Sequence, residues 1–83
     1  MTARKASNGL AATFGANLRT ARLSAGMTQR ELAIAIGRGD AMSVSRWERG
    51  EHRPDVENME ALARVLKRDV AWFYSGHEMR DAA

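Results

Sequence analysis

The sequence predicts an all-α domain built from five short helices, and three observations carry that expectation. Apolar residues recur at spacings of three and four in short runs. Each run is stopped by a glycine or a polar break, and no stretch alternates apolar with polar as a half-buried strand does. A first helix is expected from Thr13: Phe14, Leu18, Ala21 and Ala25 share one face, Thr13 is the cap and Gly26 the stop. Thr28, with Glu31 three residues on, has capping-box spacing and opens a second helix. Its Leu32, Ala33 and Ile36 face inward, and Gly37 ends it. Arg38-Gly39-Asp40 reads as a turn, with Asp40 capping a third helix to about Arg49 that buries Val44 and Trp47. Gly50 terminates that helix, and Glu51-His52-Arg53-Pro54 forms a loop. Asp55 caps a fourth helix, with Met59, Leu62, Ala63 and Leu66 at helical spacing. A short fifth helix from about Asp69 to Tyr74 brings Val70 and Phe73 onto the core. Residues 1–12, small and polar, read as a flexible N-terminal arm, 13–76 as the folded domain, and 77–83 as a frayed C-terminal tail.

Eighty-three residues leave room for one small domain. A chain that is 45% hydrophobic and 28% charged is ordinary for a globular protein, and aromatics at 6% point to an aliphatic core. With no cysteine there is no disulfide framework, no thiolate metal site and no cysteine nucleophile. No apolar run approaches the roughly 18 residues of a membrane span, and Met1 to Gly9 lacks the apolar stretch of a signal peptide. A soluble domain in the cytoplasm is the expectation, with no membrane partner. The net charge of +3 is unevenly spread. Residues 1–53 hold nine bases against four acids, whereas residues 54–83 hold four against six. A polyanion bound on one face and a merely solvated basic surface both fit that division.

The second and third helices, short and joined by a tight glycine-containing turn, have the helix-turn-helix arrangement. Leu18-Arg19-Thr20-Ala21-Arg22 is followed by Gly26-Met27-Thr28-Gln29-Arg30-Glu31-Leu32-Ala33, Gly37, Ser45-Arg46-Trp47-Glu48-Arg49-Gly50 and Pro54. Together with Leu62-Ala63-Arg64-Val65-Leu66 and Val70-Ala71-Trp72-Phe73, these runs resemble the Cro/phage-repressor (XRE-type) DNA-binding family. The resemblance spans about Phe14 to Gly76 and implies a lambda-repressor-like domain. Two departures stand out. Counted from Gly37, the turn is about one residue longer than the family's usual pattern. Lys67 replaces the glycine that often closes the fourth helix, which predicts a less sharp helix end.

The resemblance implies a structural ion pair between Arg22 and Glu48, against the alternative of two unrelated surface charges. Thr28 and Gln29 open the second helix, where free N–H groups and the positive dipole end suit a phosphate. Thr28 doubles as a cap, and the resemblance places phosphate binding at Gln29. On the third helix Arg46 is the best candidate to read a base edge, with Met42 and Ser43 as neighbours. Phosphate contact by Arg46 and a core role for Met42 stay open beside that reading. Arg49, His52 and Arg53 follow and are candidates to line the DNA backbone, or to form a solvated basic loop. His52 and His77 have no second ligand at metal spacing, so no metal and no cofactor are expected. Trp47, Trp72 and Phe73 read as core, and Tyr74 as a partly buried aromatic or part of a dimer surface.

Catalysis finds no support: there is no nucleophile elbow, no Gly-rich phosphate loop and no paired carboxylates. The expected function is sequence-specific double-stranded DNA binding by a transcriptional regulator of phage or bacterial repressor type. It would bind its operator as a weak homodimer joined through the fifth helix and tail. Two other classes remain open. One is an antitoxin whose main partner is a protein, and the other a restriction–modification controller or recombination accessory protein.

Overall fold

The computed structural model describes the backbone of residues 2–38 and 40–76, with side chains from residue 9 onward. Gly39, the 77–83 tail with His77, and the side chains of Arg4 and Lys5 lie outside the described residues. The helices are α1 (Thr2–Ser24), α2 (Gln29–Ala35), α3 (Ala41–Glu48), α4 (Val56–Leu66) and α5 (Val70–Phe73). No strand occurs among the described residues.

Local capping fixes most of these limits. The Thr28 hydroxyl accepts from the Glu31 N–H at 3.0 Å while the Glu31 carboxylate accepts from the Thr28 N–H at 2.9 Å, a complete capping box. Asp40 accepts from the Met42 N–H at 3.0 Å and Asp55 from the Asn58 N–H at 2.9 Å, so α3 and α4 start where expected. Gly26, Gly37 and Gly50 all take positive φ just past a helix end, where a side chain would be strained.

Four expectations need correction. α1 begins at Thr2, not Thr13, so the segment read as an arm continues the helix. Ala3, Ala6, Ala11 and Ala12 are strong helix formers, no proline intervenes, and extending an existing helix costs far less than nucleating one. Ala25 is exposed, because the helix unwinds at Ser24 before its face can continue. Val70 is exposed as well: it opens a four-residue helix whose single core anchor is Phe73. Lys67 leaves the end of α4 sharp, since it adopts the left-handed conformation itself at φ 60°. The Lys67 and Arg68 N–H groups then both fold back onto the Ala63 carbonyl, as they would around a glycine.

The core joins Phe14, Leu18 and Ala21 of α1 to Leu32 and Ala33 of α2, Val44 and Trp47 of α3, Met59, Leu62 and Leu66 of α4, and Phe73. Ile36 and Ala63 pack against it half-buried. Tyr74 also sits half-buried, its ring 5.4 Å from that of Phe14 and its hydroxyl 4.0 Å from the Met59 sulfur. Two close contacts set α1 against the rest. Gly15 is buried so tightly that a Cβ there would lie 2.5 Å from the Glu48 carbonyl oxygen and 2.6 Å from that of Trp47. Asn17, also buried, donates its amide to the carbonyls of Phe73 at 2.8 Å and Ser75 at 2.7 Å. In this way α1 grips the C-terminal ends of both α3 and α5, satisfying carbonyls that α5 is too short to pair itself.

Candidate nucleic-acid interface

The α2–turn–α3 unit is held to α1 by one ionic cluster. Arg22 Nε donates to Glu48 Oε2 at 2.6 Å and Nη2 to Oε1 at 3.1 Å, a bidentate fork, while Nη1 donates to the Met27 carbonyl at 2.8 Å. The Gln29 amide adds a donor to Glu48 Oε1 at 3.0 Å. Both charged side chains are over nine-tenths buried, and the carboxylate hydrogen bond raises the Arg22 pKa above its already high ordinary value. Glu48 therefore ties α3 to α1 and to the start of α2 at once.

That anchor turns one face of α3 outward. Met42 is 51% exposed, which removes the core role for it. Arg46 and Arg49 are exposed, and Ser43 and Ser45 half-buried. Along the helix Met42, Ser45 and Arg49 form one stripe, and Ser43 and Arg46 the next. The second stripe borders an open cleft of about 380 Å³ also walled by Arg38, Trp47, His52, Arg53, Pro54, Asp55 and Asn58. The structure thus gathers Ser43, Arg46, His52 and Arg53 into one place and leaves Met42 beside it. Thr28 and Gln29 are set apart from it at the head of α2.

Arg49 is already engaged. Its Nε donates to Glu51 Oε2 at 3.0 Å, Nη2 to Glu51 Oε1 at 3.2 Å and Nη1 to the Ser45 hydroxyl at 2.7 Å. That hydrogen bonding, helped by the nearby charges of Arg46 and His52, holds the Glu51 carboxyl below its usual range. The pair is exposed, so its contribution to stability is small. The sign is that of any depressed carboxylate: the contribution is present above the unfolded pKa and fades as pH falls through the lowered folded value.

Arg38 is the residue that sequence reasoning passed over. It sits in the lengthened turn, its guanidinium 6.0 Å from the centre of the Trp47 ring, on the wall of the cleft. Nothing in the local pattern marks it, because its neighbours are set by how the turn folds over α3. Among the described residues no group of three or more histidine, cysteine or acidic side chains could hold a metal ion. No described helix is long and apolar enough to cross a membrane.

With this geometry in view, comparison with known proteins is specific. The helix-turn-helix family matches residues 18–73. The HTH-type transcriptional regulator DicA of Escherichia coli (strain K12) is 39% identical over 66 residues, covering 80% of this chain and 48% of DicA. The chain thus spans about half the length of that curated relative. The crystal structure of the clp gene regulator ClgR from Corynebacterium glutamicum is similar with a TM-score of 0.73, at 30% identity, covering 88% of this chain and 81% of that one.

Proposed function

The chain belongs to the helix-turn-helix family, and on that premise we propose that it is a sequence-specific double-stranded DNA-binding transcriptional regulator of repressor type. It acts in the bacterial cytoplasm and represses by occupying a promoter. The observation that carries this reading is the outward face of α3. Arg22, Gln29 and Glu48 clamp the helix from behind, and Met42, Ser43 and Arg46 stand exposed or half-exposed beside a cationic cleft. A major groove admits an α-helix, and an arginine on it can pair bidentately with guanine while an apolar group meets a thymine methyl. Arg46 and Met42 supply those two chemistries, with Ser43 adaptable to either base edge.

The remaining residues grip the backbone. Thr28 caps α2, and one N–H of the Gln29 amide is used on Glu48, which leaves the other for a phosphate oxygen. His52 and Arg53 extend the contact past the end of α3. Arg49 reaches a phosphate by exchanging the Glu51 carboxylate for it, one anion for another, with Ser45 keeping the guanidinium in place. Two copies on paired half-sites place their recognition helices about 34–36 Å apart, one helical turn of DNA. This reading involves no catalytic step.

Selection of bound sites from random double-stranded DNA tests it, followed by titration of Arg46→Ala and Arg53→Ala at several salt concentrations. Arg46→Ala is expected to cost roughly 1–3 kcal/mol and to relax preference at one base pair of each half-site. Arg53→Ala should weaken all sequences alike and flatten the salt dependence by about one unit. Recovery of no enriched site would overturn the reading. Uniform weakening by Arg46→Ala would make Arg46 a phosphate clamp and move base readout to Met42 and Ser43.

A further inference from the structure

We propose that the cleft beside α3 is a seat for a single phosphate group, and that Arg38 of the lengthened turn is one of its ligands. The proposal deepens the DNA-binding reading and rests on it for the source of the phosphate. Arg38, Arg46 and Arg53 come from three separate parts of the chain: the α2–α3 turn, α3 itself and the α3–α4 loop. All three line the same opening of about 380 Å³. The one carboxylate on its wall, Asp55, caps α4 through the Asn58 N–H at 2.9 Å and keeps its charge, so the wall carries three cations against one anion. Among the described residues none of the three guanidinium groups has an ion pair or a side-chain hydrogen bond, whereas Arg22 and Arg49 each clasp a glutamate.

With Arg46 reaching on to a base edge, Arg38 and Arg53 are the two cations left to the cleft, and a tetrahedral phosphate diester between them offsets their mutual repulsion. The walls suit such a group. His52 offers an imidazole and Asn58 an amide, both donors to phosphate oxygens. Trp47 forms the floor, 5% exposed, and Arg38 lies above its face. A planar guanidinium set over an indole keeps its N–H edge free for a bidentate contact. Arg38 is exposed, and the Trp47 ring 6.0 Å away is the group of α3 that its guanidinium meets. The longer turn acquires a purpose in this reading, because it carries a cation over the recognition helix.

The test has two arms, each run on wild type, Arg38→Ala, Arg38→Lys and the control Arg64→Ala, which removes the same charge from α4 away from the cleft. In the first, affinity for the selected DNA site is measured from low to high salt. Arg38→Ala is expected to make the slope of log affinity against log salt shallower by about 0.9, the value of one phosphate contact. Arg38→Lys should restore most of it, and Arg64→Ala should leave it near wild type. In the second, inorganic pyrophosphate is titrated without DNA while the Trp47 indole N–H is followed by NMR, with thermal melts checking that each variant is folded. A saturable shift in wild type that Arg38→Ala weakens at least fivefold supports the seat. If only this second arm responds, the phosphate belongs to a free phosphorylated ligand rather than to DNA. Arg38→Ala matching wild type in both arms overturns the proposal. Wild-type protein without any salt-dependent DNA affinity would instead sink the DNA-binding reading, and the pyrophosphate arm would still decide the cleft.

Discussion

Gly15 cannot accept one methyl group. In an open helix Gly→Ala gains about 1 kcal/mol of helix propensity. Here the added carbon would meet two backbone carbonyl oxygens at 2.5 and 2.6 Å, and backbone cannot step aside as a side-chain tip can. Overpacking of this kind costs about 1–3 kcal/mol, so Gly15→Ala should lower stability overall in a urea melt. A gain in stability would mean that α1 can move off α3. The Arg22–Glu48 pair obeys a different logic. Removing either partner leaves a buried charge, and Arg22→Ala or Glu48→Ala alone should cost about 3–5 kcal/mol. Replacing both with apolar residues should cost less than the two single losses together. Single variants that melt with wild type would show the pair to be energetically idle. Of these features the pair was legible in the sequence, because its two positions fall in runs shared with the family. Gly15 and Asn17 were not. A close helix crossing and a clamp spanning 56 residues to Phe73 leave no local pattern.

Helix starts were the most legible elements, since a cap is made within three residues of itself. Thr28–Glu31, Asp40–Met42 and Asp55–Asn58 all formed as their spacing implied. The start of α1 is not, because the small polar residues of 1–12 suggest an arm where the alanine content decides for helix. The end of α4 failed for a related reason. A lysine in place of the glycine predicts a less sharp end, yet Lys67 takes the left-handed conformation itself at some conformational cost. Left-handed backbone costs a residue with a Cβ about 1–2 kcal/mol, which glycine avoids. Lys67→Gly should therefore stabilise the domain by about 1 kcal/mol, visible as a higher melting temperature with no change in DNA affinity. A loss of stability would show that the lysine side chain makes a contribution that outweighs its strained backbone. The outward face of α3 is legible in the sequence as a set of residues but not as a surface. Periodicity separates Val44 and Trp47 from Met42 and Arg46, while the joining of Arg46 to Arg38 and Arg53 depends on the folding of two loops.

At the scale of the whole molecule the question is how the eight-residue helix proposed to read DNA reaches useful specificity. At 1.5 Å per residue α3 is about 12 Å long, enough to follow only a few base pairs. A genome offers about 10⁶–10⁹ competing sites, so one such helix cannot define an operator by itself. Two copies on a symmetric site square the discrimination, and the proposed homodimer follows from that requirement. The exposed apolar residues suggest where it forms. Leu10, 56% exposed, lies one turn before Phe14, and Val56, 72% exposed, lies one turn before Met59. Tyr74 stacks on Phe14 and lies beside the Met59 sulfur, so Leu10 and Val56 each stand one helical turn from a residue that Tyr74 meets. Single exposed side chains of this kind cover far less than the roughly 1,200 Å² of a stable interface, which predicts association too weak to persist without DNA. Light scattering should find a monomer at micromolar concentration, and a palindromic operator should bind two copies cooperatively. Leu10→Glu combined with Val56→Glu should abolish the cooperativity while leaving affinity for an isolated half-site unchanged. Retained cooperativity in that variant would place the dimer contact elsewhere, and one copy bound to a non-palindromic site would remove the dimer altogether.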